Sequence, residues 1–336
     1  MFMFESGAST VKGEERMPKR SLWLLAAALL TGAAHAQQWP SGPVRVIVNV
    51  AAGGVADRTA RLLGARLGET LGQPFVVENR AGGDGYIGFE GVAKAAPDGQ
   101  TLCFSPGSSM MISPHLVRRA DFDPLKALTP VVPTVTVPIY LVVYPAVPAQ
   151  NVAEFIAYAR ANPGKLNYGS AGNGTSPHLA GELFKRETGA GLTHVPYKGA
   201  GPALKDLLGG QVEVMFDPGI AAEHVKAGRL RILAVSGDHR LAAFPDAPTF
   251  AEAGVRGVDG GPFFGFYAPN GTPPAIIERL NREVTKLMQD PGVRQQLLAQ
   301  GLELAPPMSP EAFAAYVRTE SERYAKLLPE LGIRGQ

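Results

Sequence analysis

An α/β fold, with open sheets covered by helices, is what this sequence predicts, and three observations predict it. Apolar and β-branched runs of strand length alternate with helical stretches along most of the chain. The first run, VRVIVNV (Val44–Val50), is near-continuous rather than alternating, as in a strand buried on both faces. Several runs end in glycine-rich loops that open into helices, the arrangement found at the carboxyl ends of strands where ligands gather.

The elements follow in order. Val44–Val50 is the first strand and Ala51-Ala52-Gly53-Gly54 its loop. The next stretch places Ala56, Ala60, Leu63 and Leu67 on one helical face. FVVE (Phe75–Glu78), TLCFS (Thr101–Ser105) and IYLVVY (Ile139–Tyr144) are further strands. Asn151 followed three residues later by Glu154 resembles a capping box, opening a helix with Val152, Phe155, Ile156 and Ala159 inward. LNYGS, THVPY, VEVMFD and LRILAVS are strands separated by helical stretches. Thr272-Pro273 and Ser309-Pro310 each read as an N-cap with a first-turn proline, opening two C-terminal helices. The first of these carries Ile276, Ile277, Leu280 and Val284. Gly/Pro-rich zones at Pro133–Pro138 and at Asp259-Gly260-Gly261-Pro262 suggest crossings between two domains, the second inserted into the first.

The N-terminal region predicts export. Lys19 and Arg20 precede a short apolar core, Ser21–Leu30, and Ala34-His35-Ala36 offers the small-x-small pattern of a signal peptidase site. The cut is expected after Ala36, with residues 1–16 an over-long start, and the protein is expected in the periplasm. The apolar run is too short to span a bilayer core of about 30 Å. The whole chain has 32 basic and 30 acidic residues, a near-balance that argues against nucleic acid or an anionic membrane as partner. With one cysteine, Cys103, no internal disulfide forms, and its place in TLCF marks it as a small core residue. The 40 glycines and 29 prolines, beside 45% hydrophobic residues, mean many loops rather than disorder.

Three loops are candidates for binding. Ala52, Gly53 and Gly54 allow close approach to the main chain, and the following helix N-terminus favours an anion. Ser170 to Ser176 (SAGNGTS) is small, glycine-rich and hydroxyl-rich, and Pro177 fits the start of a helix; Ser170, Gly172, Gly174 and Thr175 are its candidates. Ser105-Pro106-Gly107-Ser108-Ser109 is the third, with Ser105 and Ser108. Enzyme signals are weak. Gly83–Gly88 matches GxGxxG, but Asn79–Gly82 separates it from its strand and the expected acidic residue is missing. Tyr168 stands where a nucleophile elbow needs glycine, so Ser170 is no orthodox hydrolase serine. The failed GxGxxG fingerprint leaves no cofactor expected, and the six histidines lack HxxxH or HxH spacing, so no metal site is expected.

VRVIVNVAAGGVADRTARLL, then GQPFVVENRAGGDGYIGFEGVAKAAPDGQTL, then LNYGSAGNGTSPHLAGELFKRETGAGLTHVPYKGAGPALKDLLGGQVEVMFD resemble the Bug-type receptors. These are the extracytoplasmic solute-binding proteins of tripartite tricarboxylate transporters. FPDAPTFAEAG and GTPPAIIERLN extend the likeness, which covers about Trp39 to Ile333. The resemblance implies a two-lobed clamshell of the type II-like periplasmic binding protein kind, each lobe a mixed sheet flanked by helices. On that basis the signal peptide is 1–36, the first lobe 37–137 and 260–336, and the second lobe 138–259. It implies a small organic carboxylate as ligand, small and large integral-membrane subunits as partners, and a monomer without nucleic acid, metal, cofactor or catalytic residue. The ligand would meet Ala52, Gly53, Gly54, Ser105, Ser108, Ser170, Gly172, Gly174, Thr175, Tyr197 and Asp217. Asp217 could equally be a structural acid, Lys198 either a lining residue or a solvated charge, and Asp57 a brace for its own loop. Asn49-Val50 and Val55-Ala56 depart from the family's pattern and point to a less polar first-lobe wall. Two other readings stay open: an exported hydrolase using Ser170 with a histidine and Asp217, and a ligand sensor of the same fold.

Overall fold

A computed structural model describes residues 39–117, 121–259 and 261–335, together with Met1 and Met3. The predicted export signal and its cut after Ala36 lie outside the described residues.

The first five-stranded sheet begins with β1 (Val44–Val48), β2 (Phe75–Asn79) and β3 (Thr101–Ser105). β1 runs parallel to both β2 and β3, because helices rather than hairpins connect them. In β1 only Arg45 is exposed, and β3 is buried throughout, as expected of strands covered on both faces. Cys103 lies inside β3, and burial pushes its thiol well above the usual range. Helix Val55–Leu71 turns Ala56, Ala60, Leu63 and Leu67 to the core and ends at Gly72, whose φ of 71° suits a left-handed cap. β4 (Leu128–Pro133) joins this sheet, and a short β5 (Val135–Thr136) leads out of it.

The second sheet comprises β6 (Tyr140–Val143), β7 (Leu166–Ser170), β8 (Leu192–Pro196), β9 (Val214–Asp217) and β10 (Arg231–Val235), in spatial order β10-β6-β9-β7-β8. β7 is parallel to β8 and β9, while β6 and β10 are antiparallel additions. The chain then returns to the first sheet through β11 (Gly265–Pro269), which sits antiparallel between β3 and β4. β12 (Glu303–Leu304) pairs with β5. The two crossing segments clasp each other. Thr134 N–H donates to the Phe264 carbonyl at 2.8 Å, Phe264 N–H to Val135 at 2.7 Å, and the Thr136 hydroxyl to Gly261 at 2.7 Å.

Helix ends follow local chemistry. Asn151 caps its helix by accepting from Glu154 N–H at 2.9 Å, and Glu154 reaches back to Gln150 N–H at 2.7 Å. Asn151→Ala should therefore cost about 1 kcal/mol in a urea melt; an unchanged midpoint would mean that water replaces the cap. Ser309 caps helix Pro310–Glu330 as expected, accepting from Ala312 N–H at 3.2 Å. The Thr272-Pro273 expectation shifts by one residue. Pro273 occupies the N-cap of helix Pro274–Gln289, and the Thr272 hydroxyl instead donates to the Pro269 carbonyl at 2.7 Å. A further helix lies between these two: Asp290-Pro291 opens Pro291–Ala299, with the Asp290 carboxylate accepting from Val293 N–H at 2.9 Å.

One apolar cluster runs through both halves. It joins Ile47, Cys103 and Met111 on the first side to Phe184, Phe216 and Phe250 on the second, with Phe313, Tyr324 and Leu327 of the last helix.

Candidate functional site

The parallel strands of the second sheet end in two loops that fold over one another. After β7 come Ala171–Thr175, then helix Ser176–Thr188; after β8 come Tyr197–Gly199. Tyr197 N–H donates to Ser170 at 3.2 Å and Gly199 N–H to Ala171 at 3.1 Å, which ties the loops together. Gly172 has φ of 127°, and a Cβ there would stand 3.0 Å from the Tyr197 carbonyl, so only glycine fits this crossing.

These loops form one wall of a cavity of about 660 Å³. Ala171, Gly172, Asn173, Thr175, Tyr197 and Lys198 lie on that side. Ser113, Leu116 and Val117, from the segment after β3, form the opposite wall with Asp84, and Arg334 also lines the cavity. The volume falls in the usual range for small-molecule sites, about 300–1,000 Å³. Lys198 and Arg334 make no ion pair among the described residues, so the cavity carries two uncommitted cations against the single carboxylate of Asp84. Asp84 has φ of 53° and stands between glycines that are also at positive φ, a tight turn that presents its side chain to the opening. A larger hollow of about 840 Å³ is built only from residues between Tyr86 and Ala127, on the first sheet's side, and so does not lie between the two halves.

The candidates distribute unevenly. Gly172, Thr175 and Tyr197 line the cavity. The Thr175 hydroxyl donates to the Gly172 carbonyl at 2.7 Å and shapes its own loop. The Tyr197 hydroxyl is committed to Asp206 at 2.7 Å, and burial with that carboxylate pushes it up to about 12. Ser170 and Gly174 sit behind the lining, both buried. Ala52, Gly53, Gly54, Ser105, Ser108 and Asp217 are not among the lining residues. In the first loop Gly53 is committed internally: Asp57 accepts its N–H at 2.9 Å, and Arg58 donates to its carbonyl at 2.7 Å. Asp57 is thus the brace expected of it. The Ser105 hydroxyl is fully buried and donates to Pro106 at 3.0 Å, and Ser108 lies in the short helix Gly107–Met111. The sequence did not single out Asp84, Ser113, Leu116, Val117, Asn173 or Arg334. Asp84 lies in the stretch that failed as a dinucleotide fingerprint, and its flanking glycines were the available signal.

Asp217 takes the structural role. It is fully buried at the end of β9, and one oxygen accepts from Ala221 N–H at 3.0 Å, while the other has no partner. Burial pushes it up to about 7, against hydrogen bonds from Ala221 and Gly219 that favour the charge. Between its unfolded value near 4 and that raised value, the folded protein holds a proton the unfolded chain has released. Stability should therefore fall as pH rises through this window. Asp217→Asn keeps an acceptor for Ala221 and removes the titration, so urea melts should show a smaller loss between about pH 5 and pH 8 than in wild type. Equal slopes would mean that Asp217 titrates normally.

Ser170 does meet a histidine: its Oγ lies 2.6 Å from His194 Nε2. Ser170 is fully buried, however, and Asp217 bonds Ala221 rather than a histidine, so the three do not form a relay.

The family model for "Tripartite tricarboxylate transporter family receptor" matches residues 59–333. This chain belongs to that receptor family. The Bug-type receptor is similar to Protein BugT of Bordetella pertussis, 36% identical over 92% of this chain and 95% of that protein. Among solved structures it resembles R. palustris Rpa4515 with adipate, at 36% identity and a TM-score of 0.80, covering 89% of this chain and all of that one. It also resembles MatC (Rpa3494) from Rhodopseudomonas palustris with bound malate, at 32% identity and a TM-score of 0.75, covering 86% and 100%. The periplasmic binding protein fold of this receptor, with two mixed sheets flanked by helices, follows from both the topology and these likenesses.

Proposed function

We propose that this receptor is exported to the periplasm, captures a small organic carboxylate between its two lobes, and delivers it to the small and large membrane subunits of a tripartite transporter. The observation that carries it is the cavity itself: it opens between loops of the two halves, and Lys198 and Arg334 stand in it unpaired. Main-chain N–H groups at the start of helix Ser176–Thr188 add to the attraction for an anion. Adipate and malate are found in the related structures, which supports a compact dicarboxylate as ligand. The lobes are taken as 37–137 with 260–336, and 138–259, and closing them around the acid is the signal read by the membrane partner. No bond is made or broken, and the buried Ser170 supports binding rather than hydrolysis.

The test is a thermal-shift screen of organic acids. An acid at about 100 times its dissociation constant should add roughly 2.7 kcal/mol of stability. The dimethyl ester of that acid should add almost none, because it lacks the charge the two cations attract. Equal stabilisation by acid and ester would sink the carboxylate reading.

A further inference from the structure

Behind the loop Ala171–Thr175 sits a pair of histidines. His178 lies in the first turn of helix Ser176–Thr188 and is buried; His194 lies on β8 and is half-buried. Their rings stack with centroids 3.9 Å apart and planes 8° from parallel. Tyr168 of β7 stacks on His194 at 4.8 Å. Each histidine holds the loop. His178 Nδ1 accepts the Gly174 N–H at 3.1 Å. His194 Nε2 meets Ser170 Oγ, which itself accepts the Gly172 N–H at 3.1 Å. An imidazole nitrogen that accepts a hydrogen bond carries no proton, so His178 can hold Gly174 only as the neutral Nε2–H tautomer.

We propose that His178 and His194 are positioning residues: their neutral stack holds the loop 170–175 in the shape that receives the ligand, and protonating the stack frees the loop and lowers ligand affinity. The proposal rests on the cavity being the carboxylate site. It concerns how that site is held and how acid opens it.

Burial opposes protonation of the stack, while the charges around it act both ways. On the same helix are Glu182 and Lys185, paired with each other at 2.8 Å. Tyr168 faces the stack from β7, its hydroxyl donating to Glu182 at 2.6 Å. β8 contributes His194 itself, and β9 contributes the uncharged Phe216 beneath Tyr168. Burial and then His178 push His194 down to about 4; burial also lowers His178, with Glu182 opposing and Lys185 adding to the effect. Unfolded histidines protonate near 6.5, so stability falls as pH drops through 6.5 towards the folded values. If the ligand prefers the neutral stack, acid weakens binding, and the ligand in turn opposes protonation.

Two measurements on the full chain test this. In the first, nuclear magnetic resonance follows the histidine rings and the Gly174 amide of the ligand-free protein from neutral to acid pH. The expected result is an Nε2–H tautomer for His178 at neutral pH and a Gly174 amide that moves with the His178 titration. An Nδ1–H tautomer, or an amide indifferent to that titration, overturns the positioning role. In the second, calorimetry compares adipate binding to wild type and to His178→Asn at neutral and acid pH. The asparagine oxygen can replace Nδ1 as acceptor and does not titrate. Both proteins meet the same protonation of adipate, so any difference belongs to the protein. Wild type should lose several-fold more affinity on acidification, each linked proton costing roughly tenfold per pH unit below the stack's pKa. Parallel losses overturn acid release through His178. If adipate binds neither protein at neutral pH, adipate capture fails, and the Gly174 titration still decides whether the histidines hold the loop.

Discussion

Gly174→Val should yield a protein of clearly lower stability with ligand affinity reduced more than tenfold. Gly174 has φ of 71°, a region that β-branched residues resist. A Cβ built there collides with Leu116 Cδ1 and comes within 4.0 Å of Ile112. Leu116 lines the opposite wall of the cavity, so Gly174, from behind its own loop, packs directly against that wall. The side chain is excluded by that wall, not by the ligand alone. Left-handed strain and overpacking together should cost on the order of 2–4 kcal/mol in a urea melt. Holding the walls apart should also weaken binding, which calorimetry reads directly. Wild-type stability and affinity in this variant would mean that the two walls separate freely.

Phe216→Ala is the other large effect. Phe216 lies in β9 with no exposed surface. Its ring packs against Tyr168 at 5.5 Å and Phe184 at 5.6 Å. Removing it leaves a cavity in a core that joins both halves, and the expected loss is about 3–5 kcal/mol. Tyr168 supports the histidine stack, so the variant should also bind more weakly at neutral pH. Val76→Ala, at a position 54% exposed, is the control and should stay within about 0.5 kcal/mol of wild type. A Phe216→Ala protein as stable as that control would contradict the packing described for β9.

Local signals were legible wherever local chemistry decides the structure. Ala56, Ala60, Leu63 and Leu67 form the buried stripe their spacing predicts, and Asn151 and Ser309 cap their helices with their own side chains. Thr272 misled because a second proline, Pro274, takes the first helical position and frees the hydroxyl for a turn. Asp290-Pro291 carried the same signal as Ser309-Pro310 and was passed over. The site was half legible for a different reason. Gly172, Thr175 and Tyr197 reach the cavity from loops whose composition already marked them. Leu116, Asp84 and Arg334 come from distant parts of the chain, and only tertiary packing brings them together. The Ala52–Gly54 loop resembles a binding loop, but nothing in its composition tells that Asp57 already accepts the Gly53 N–H. The histidines lack metal-ligand spacing along the chain, and spacing carries no sign of their stack. Their stacking depends on the parallel pairing of β7 with β8, which sets Tyr168 beside His194.

On the proposed function, a carboxylate occupies the cavity between the loop Ala171–Thr175 and the wall around Leu116. A crystal structure with the acid that gives the largest thermal shift tests it most directly. It should show a carboxylate group within hydrogen-bonding distance of the main chain of residues 171–175, with Lys198 or Arg334 turned towards it. The acid seated instead in the hollow beside Pro124–Ala127, or absent from the cavity at saturating concentration, would contradict the account.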